Sequence, residues 1–342
     1  MVDAAYAALV VAFGLWAVLD GYDFGVGVLH RLIARTEAER RTVFAAIGPY
    51  WDGNEVWLLA AAGVLFIAFP RALGSGLSGL YLGFFVGVWS LMGRGLSIEL
   101  RSHLRDPLWR AFFDSLFQLS SLGVILVFGA ALGAVLRGVP LDASGYFSVP
   151  LFASEGDTVG LFDPYTLLVA LFVLVSLGAH GCMFLLWKTR GDLAVRARSW
   201  GVTLLAICAG FWLVTTWATS AVRPALLEAF PHRPVAWLAV VAAAAGLGLA
   251  GLGLQRRWEL VPFIGSSLFV FAVLAAAAAC QYPVLLPSTI DARWSLTVDN
   301  AALSASHLTR AAKWWLPGIA LVGGYFFWVA KTFRGKAEPE KE

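Results

Sequence analysis

The sequence predicts an all-α, polytopic membrane protein in which nine transmembrane helices form one integral membrane domain over residues 1–342. Of its residues, 59% are hydrophobic and 14% are charged, and the mean hydropathy is +0.76. A soluble globular chain carries about 25% charged residues. Apolar runs of about 20 residues, the length that a helix needs to cross a bilayer, recur along the chain. These observations exclude a cytoplasmic enzyme, a nucleic-acid-binding protein and a disulfide-stapled secreted module.

The nine apolar runs are helices rather than barrel strands, because barrel strands have about 10 residues that alternate in polarity. The first run should be kept rather than cleaved as a signal peptide, because no Lys or Arg precedes it. In chain order, the predicted spans are residues 5–29, 52–70, 77–98, 114–136, 163–187, 200–222, 235–254, 260–282 and 313–333.

The basic residues predict the orientation of these spans. Most of the 25 Lys and Arg residues lie in the connections that follow the first, third, fifth and seventh spans and in the C-terminal tail, residues 334–342. The connections on the opposite side hold Arg71, Arg137, Arg223, Arg233, Arg293, Arg310 and Lys313. Cytoplasmic loops carry the excess of basic residues. The N-terminus is therefore predicted outside and the short charged tail in the cytoplasm.

Two of the predicted outer connections are long, residues 137–162 and 283–312. The second contains Pro283 and Pro287 among Ser, Thr and Trp residues. This composition predicts an ordered re-entrant or surface-lying segment rather than a flexible tether.

Side chains that could ligate a metal are few and scattered. Cys182, Cys208 and Cys280 lie far apart inside apolar runs, which is typical of small core residues rather than of a disulfide framework or a metal cluster. His180 is the only histidine deep inside a predicted span. A helix-packing role is favoured over haem ligation, because no second histidine ligand lies inside another span. The other histidines lie in loops or at span ends: His30, His103, His232 and His307. The sequence therefore predicts no metal site.

Acidic residues near the cytoplasmic end of the first two spans need an explanation. A charged side chain at mid-membrane costs roughly 2.5 to 3.5 kcal/mol. Asp20 and Asp23 stand three residues apart and therefore on one helix face, and Asp52 and Glu55 begin the second span. The functional interpretation is a carboxylate relay that takes protons from the cytoplasm.

Structural interpretations compete with the relay at two of these acids. The spacing of Asp52 and Glu55 is typical of a capping box, so Asp52 could cap the helix, carry protons or do both. Asp23 lies near the end of its span and could reach out to water. Asp20 is deeper and better placed for function.

Two further motifs lie close to these acids. Gly21 and Gly25 form a small-xxx-small pair, which is typical of a close helix crossing. Arg94, at the end of the third span, could neutralise a buried carboxylate or a cofactor propionate, or it could be an anchor at the cytoplasmic interface. For Arg101 and Arg105 the anchor role is preferred.

Several sequence blocks resemble subunit II of the cytochrome bd quinol oxidases. They include DGYDFGVG at 20–27, GPYWDGNEVWL at 48–58 and RGLSIELRS at 94–102, followed by YP at 282–283, PST at 287–289 and SLTVDNA at 295–301. The blocks run in family order from about residue 20 to residue 310, and WDGN is the most specific of them. The compact connections 71–76 and 223–234 are similar to those of the shorter, cyanide-insensitive branch.

The resemblance implies a respiratory quinol:oxygen oxidoreductase of the prokaryotic cytoplasmic (inner) membrane, which reduces dioxygen to water with electrons from quinol. In that family the b and d haems sit in subunit I, and subunit II is a haem-free nine-helix partner. Some members add a small single-helix subunit or hold a structural quinone. Membrane lipids surround the complex, and no nucleic acid takes part.

The resemblance also implies roles for individual residues. The acid that matches Asp52 belongs to a proton route at the subunit interface, and the relay interpretation extends this route to Asp20 and Glu55. Arg94 and Glu99 are candidate cofactor-binding residues near that interface. Two alternatives stay open: a proton-coupled secondary transporter, although its typical paired interrupted helices are not seen, and a purely structural subunit of the oxidase.

Overall fold

A computed structural model describes residues 1–152 and 160–338, and in these ranges the chain is mainly helical, as predicted. A two-stranded antiparallel sheet and two short 3₁₀ turns accompany the helices. The helices are α1 Val2–Leu19, α2 Gly21–Ile33, α3 Glu37–Ile47, α4 Trp51–Ala68, α5 Pro70–Gly79, α6 Tyr81–Leu100, α7 Pro107–Arg137, α8 Pro164–Lys188, α9 Gly191–Val222, α10 Pro224–Ala229, α11 Pro234–Gln255, α12 Val261–Gln281, α13 Val298–Ala301 and α14 Ala305–Thr332. The strands are β1 Val284–Leu286 and β2 Leu296–Thr297.

Seven helical segments within the described ranges are long and apolar enough to cross a membrane. α1 and α2 together form one of them, Val2–Ile33. α4 and α5 meet at a bend of 118°, and counting this pair as one span gives eight. The ninth predicted span lies within α14, which has 28 residues but includes charged residues near both ends. Nine spans therefore stay a prediction.

The connections between spans contain more regular structure than the sequence predicted. α3 was not predicted; it begins at a capping box in which Thr36 and Glu39 bond each other's backbone N–H groups. The predicted outer connections 71–76 and 223–234 are largely helical, in α5 and α10. Capping side chains and N-terminal prolines fix such short helices locally, and a search for long apolar runs does not detect them.

The predicted ordered outer segment is confirmed within residues 283–312. β1 pairs with β2, and Thr297 and Asn300 form a capping box that starts α13. Ser288 also forms a bridge with Val139 of the other long connection. The segment therefore lies folded against the rest of the protein; in the first long connection, residues 153–159 lie outside the described part of the chain.

α2 and α8 cross in direct backbone contact, which places the N-terminal acids inside the bundle. A Cβ on Gly25 would collide with the carbonyl oxygen of Leu177, and a Cβ on Gly181 would lie 2.5 Å from the amide nitrogen of Val26. Only glycine permits so close an approach. The predicted packing role of the Gly21 and Gly25 pair is thus confirmed, since Leu177 also contacts Gly21.

The described part of the predicted tail, residues 334–338, is docked on the helix ends. Lys188, at the end of α8, is buried, and its Nζ donates to the hydroxyl of Tyr50 at 2.8 Å and to the carbonyl of Phe333 at 2.5 Å. The amide of Ala337 donates to the carbonyl of Lys188 at 2.8 Å. These bonds tie the end of α14 to the start of α4. Residues 339–342 lie outside the described ranges.

Candidate functional site

Arg94 is the centre of a buried charge cluster formed by α1, α2, α4 and α6. Its side chain is fully buried on α6, and its Nη1 donates to Asp20 Oδ1 at 2.7 Å. Its Nη2 donates to Glu55 Oε1 at 2.5 Å, and Nη1 lies 4.0 Å from Asp23 Oδ2. Of the two roles considered for Arg94, the structure therefore supports neutralisation of carboxylates. Arginine suits it because its guanidinium keeps its charge when buried.

Asp20 lies between α1 and α2 and is fully buried. Its other oxygen, Oδ2, accepts a hydrogen bond of 2.9 Å from Trp16 Nε1, one turn earlier in α1. The ring of Phe24 lies 4.6 Å from the Arg94 guanidinium carbon, which favours a cation there. A buried carboxylate normally requires such a paired and hydrogen-bonded environment.

Asp23 forms a second branch of the cluster, and the interpretation that it reaches out to water is wrong. It is fully buried, and Asn54 Nδ2 donates to its Oδ2 at 2.8 Å. Asn54 also contacts the hydroxyl of Tyr22 at 2.9 Å and the carbonyl of Leu19 at 2.8 Å. Gly25 lies about 200° around α2 from Asp23, so its contact with α8 leaves Asp23 facing Asn54 of α4 and Arg94 of α6.

Glu55 connects this buried cluster to an open groove between α4 and α6. Its side chain is 30% exposed although one oxygen bonds Arg94. The groove has a volume of about 460 Å³, and Asp52 and Glu99 also line it, both with exposed side chains. The structure therefore brings together the proposed proton-path and cofactor-binding residues: Asp52 and Glu99 lie on the groove, and Asp20 and Arg94 lie behind Glu55.

Asp52 does not cap α4, so the capping-box interpretation is wrong. The helix begins at Trp51 with Tyr50 in the cap position, and no side chain caps it. The Tyr50 hydroxyl is used in other bonds: it accepts a hydrogen bond from Lys188 and donates one to the carbonyl of Phe333. Asp52 is consequently left on the groove, one helical turn before Glu55.

Three polar atoms of the cluster have no hydrogen-bond partner within the described residues: Asp23 Oδ1, Asn54 Oδ1 and Arg94 Nε. Buried polar groups are usually satisfied by protein or ordered water. The cluster therefore retains both acceptor and donor capacity for water or a transferred proton.

Large apolar side chains surround the groove on the outer surface of the chain. Met92 is 59% exposed and Leu96 is 50% exposed, both on α6 beside the groove. Trp89 and Leu59 extend this surface along α6 and α4. Carboxylates are costly when they face lipid. Asp52 and Glu99 in such a surface fit a face covered by another protein.

A second buried charge cluster, formed by α2, α3, α6 and α7, was missed by the sequence analysis. Arg101 Nε donates to Asp114 Oδ1 at 2.6 Å, and its Nη2 donates to Glu37 Oε2 at 2.9 Å. His30 Nε2 lies 3.6 Å from the same Asp114 oxygen. Arg101 is 1% exposed, so its preferred role as an interfacial anchor is wrong. The available signal was its spacing from Arg94, seven residues along one face of α6.

His30, which was assigned to a loop or span end, lies in the last turn of α2 and is fully buried there. His180 has the predicted packing role: its Nδ1 lies 2.7 Å from Ser266 Oγ, and its Nε2 lies 2.9 Å from the carbonyl of Val18. With both ring nitrogens engaged, His180 does not fit a haem axial ligand. Within the described ranges, no three His, Cys, Asp or Glu side chains are grouped to hold a metal ion.

All three cysteines are free, and Cys182 and Cys208 are buried, as predicted for core residues. Cys280 is half-buried. No cysteine chemistry therefore enters the candidate site.

Comparison with known proteins places the chain among the respiratory oxidases. The family described as cytochrome bd terminal oxidase subunit II matches residues 1–333. Cytochrome bd-I ubiquinol oxidase subunit 2 of Escherichia coli K12 is 30% identical in an alignment that covers 92% of this chain and 89% of the relative. Cytochrome bd ubiquinol oxidase subunit 2 of Bacillus subtilis 168 is 30% identical over 305 residues, covering 88% and 86% of the two chains.

A solved structure supports the fold independently. A chain of the bd oxidase from Geobacillus thermodenitrificans superposes with a TM-score of 0.75 at 17% sequence identity. The match covers 97% of this chain and 98% of the other. The helical arrangement described above is thus shared with a chain of that oxidase.

Proposed function

This chain belongs to the cytochrome bd terminal oxidase subunit II family, and from that premise we propose that it is the haem-free subunit II of a bd-type quinol oxidase. In this role it supports quinol oxidation and the reduction of dioxygen to water in a prokaryotic cytoplasmic membrane. Cytoplasmic protons reach the reaction through carboxylates of this chain at the interface with subunit I.

One observation carries the proposal: Arg94 bonds Glu55 and Asp20 at the same time. Glu55 faces the groove, whereas Asp20 is fully buried. The guanidinium therefore joins an accessible carboxylate to one inside the bundle. A structural ion pair alone would not require a partner that is open to the groove.

The chemistry follows from the exposure of each carboxylate. Asp52 on the groove can exchange a proton with water, and Glu55 lies one helical turn further along α4 on the same groove. Glu55 can rotate between the groove and Arg94, since its side chain is partly exposed. Arg94 stabilises the ionised form of whichever acid has released its proton. Asp20 and Asp23 hold the inner end of the route.

Subunit I is proposed to cover the groove and its apolar rim. The haems b and d, which supply the electron transfer to dioxygen, are assigned to that subunit, and the engaged nitrogens of His180 support this assignment. Nine spans with the N-terminus outside would place the groove mouth at the cytoplasmic surface. A small single-helix subunit and a structural quinone stay predictions of the family resemblance.

The alternatives are a purely structural subunit and a proton-coupled transporter. Asp52→Asn in the complete complex separates the relay from a structural role. We expect normal haem spectra but oxygen consumption lowered at least about 10²-fold, because a positioned proton carrier contributes 10²- to 10⁴-fold. Asp192→Asn is the matched control, since Asp192 is also exposed at the second position of a helix, α9.

Wild-type turnover of Asp52→Asn with haems retained would support the structural role instead. A transporter would be indicated by a chain that purifies as a stable and active protein without any haem protein.

A further inference from the structure

A second groove, between α9 and α11, is apolar and opens on the outer surface of the bundle. Leu205, Ala206 and Ala209 line it from α9, and Leu247 and Gly251 line it from α11. Its volume is about 280 Å³. The groove covers about two turns of each helix, or roughly 10 Å along the membrane normal. This length fits the part of one acyl chain that lies next to the headgroup.

Arginines lie at one end of this groove, beyond Leu254 and Gln255. Arg256 and Arg257 follow α11 directly and are exposed. Arg198, one turn before the groove on α9, donates through Nη1 to the carbonyl of Leu254 at 2.6 Å. That bond uses one of its five donors. Arg198 also lies within electrostatic range of Arg257.

The acid that interacts electrostatically with Arg198 is already paired with a lysine. Glu259 lies within electrostatic range of Arg198, but its Oε2 is 2.8 Å from Lys336 Nζ. The three arginines therefore keep an excess of positive charge at the groove end. Trp258, which is 44% exposed, stands beside them, as interfacial aromatics do at the headgroup level.

Arg257 occupies a backbone position that normally favours glycine. It has a φ of 58°, and the amide of Trp258 donates to the carbonyl of Gly253 at 2.9 Å, which closes the end of α11. Folding alone would be served better by glycine here. The arginine therefore places a cation at the groove end against the local backbone preference.

We propose that this groove binds an anionic phospholipid, with its phosphate at Arg198 and Arg257 and one acyl chain along Gly251. Basic pockets between transmembrane helices are suited to anionic headgroups. Under the proposed orientation the arginines face the cytoplasm, so the lipid comes from the inner leaflet. The site is separate from the α4/α6 groove and does not depend on the proton route.

The test measures which lipids the intact complex retains. The complex is placed in nanodiscs of phosphatidylcholine that contain phosphatidylglycerol, and retained lipid is counted by native mass spectrometry after release into detergent. Wild type should retain phosphatidylglycerol in preference to phosphatidylcholine. Arg257→Gly should weaken this retention about tenfold, the effect of losing one charge-assisted hydrogen bond, while the end of α11 keeps its conformation.

A second variant tests the acyl-chain part of the site. A Cβ at Gly251 would lie 3.8 Å from Leu205, so Gly251→Leu fills the groove without a backbone clash and should also abolish the preference. Two control variants, Gly248→Leu and Arg105→Gln, should retain lipid as wild type does, because neither residue lines the groove. A Cβ at Gly248, on α11, has no atom within 4 Å.

Equal retention of both lipids by wild type would overturn the proposal. The proposal would also be overturned if Arg257→Gly retained as much phosphatidylglycerol as wild type. The same holds if the molecule that Gly251→Leu displaces is a neutral quinone. Arg257→Gly gives a result by itself if Gly251→Leu fails to assemble.

Discussion

Among individual residues, Arg94 determines the geometry of the site, because one guanidinium bonds two carboxylates of different accessibility. Its bonds to Asp20 and Glu55 leave from separate nitrogens. Both bonds need the planar fork of arginine, whereas a lysine ammonium is a single point charge. The charge alone would neutralise the acids, but the fork also fixes their positions.

Arg94→Lys should therefore separate neutralisation from positioning. We expect the haem-containing complex to assemble, since a cation is kept, but turnover to fall about tenfold because one carboxylate loses its bond, worth about 1.5 kcal/mol. Arg94→Gln should destabilise the complex by about 3 to 5 kcal/mol, the cost of unpaired buried charge. Thermal unfolding and oxygen consumption measure the two effects. Equal loss of stability in both variants would contradict a positioning role.

The sequence allowed most of this site to be predicted. Acids in apolar runs stand out because burial in lipid is costly, and this signal identified Asp20, Asp23 and Glu55. It did not show whether a side chain points into the bundle or out of it, so the interpretation that Asp23 reaches out to water was favoured. Asn54 was missed because an uncharged amide in a helix has no comparable cost, and Asp114 because its partner Arg101 resembled an interfacial anchor.

At the element scale, the crossing of α2 and α8 orients the acids of α2 toward α4 and α6. The backbones touch at Gly25 and Gly181, so the rotation of α2 about its axis is fixed there. The small-xxx-small spacing predicted a close crossing, but a pattern on one helix does not name its partner. Likewise, the apolar runs located the long helices, whereas α3 and α5 depend on short capping and proline signals.

Gly25→Ala tests this crossing. Its methyl group would collide with the backbone of Leu177, and overpacking of this kind costs about 1 to 3 kcal/mol. We expect a lower unfolding temperature of the purified complex. Gly63→Ala on α4 is the control, because a Cβ there meets nothing within 4 Å. If Gly25→Ala unfolded at the same temperature as Gly63→Ala, α2 and α8 could move apart without loss of stability, which would contradict a tight crossing.

At the scale of the whole molecule, ion pairs tie the extramembrane helix α3 to the spans. Glu39 accepts hydrogen bonds from Arg196 of α9 and from the backbone of Thr36 and Arg35. Partial burial opposes its ionisation, but these bonds outweigh burial and hold the pKa of Glu39 below its ordinary value of 4.5. A lowered pKa contributes stability above the ordinary value, which is lost as the pH falls through the lowered value.

Glu39→Gln measures this contribution, because glutamine can still complete the capping box with Thr36. We expect the variant to be about 1 kcal/mol less stable than wild type at pH 7. The difference should shrink as the pH falls below 4.5 and through the lowered pKa of Glu39, where the wild-type carboxylate becomes protonated. Thermal unfolding of the detergent-solubilised complex across this range checks it. A difference that is independent of pH would show that the pair contributes only packing.

The most direct test of the proton route follows proton uptake itself during turnover. The complex is reconstituted in liposomes, quinol is supplied, and a pH-sensitive dye on the side of the groove mouth reports uptake. In Glu55→Gln, with haem content unchanged, we expect proton uptake and oxygen consumption to slow together by about 10², while Asp192→Asn matches wild type. Uptake at the wild-type rate in Glu55→Gln would contradict a route through the carboxylates of this chain.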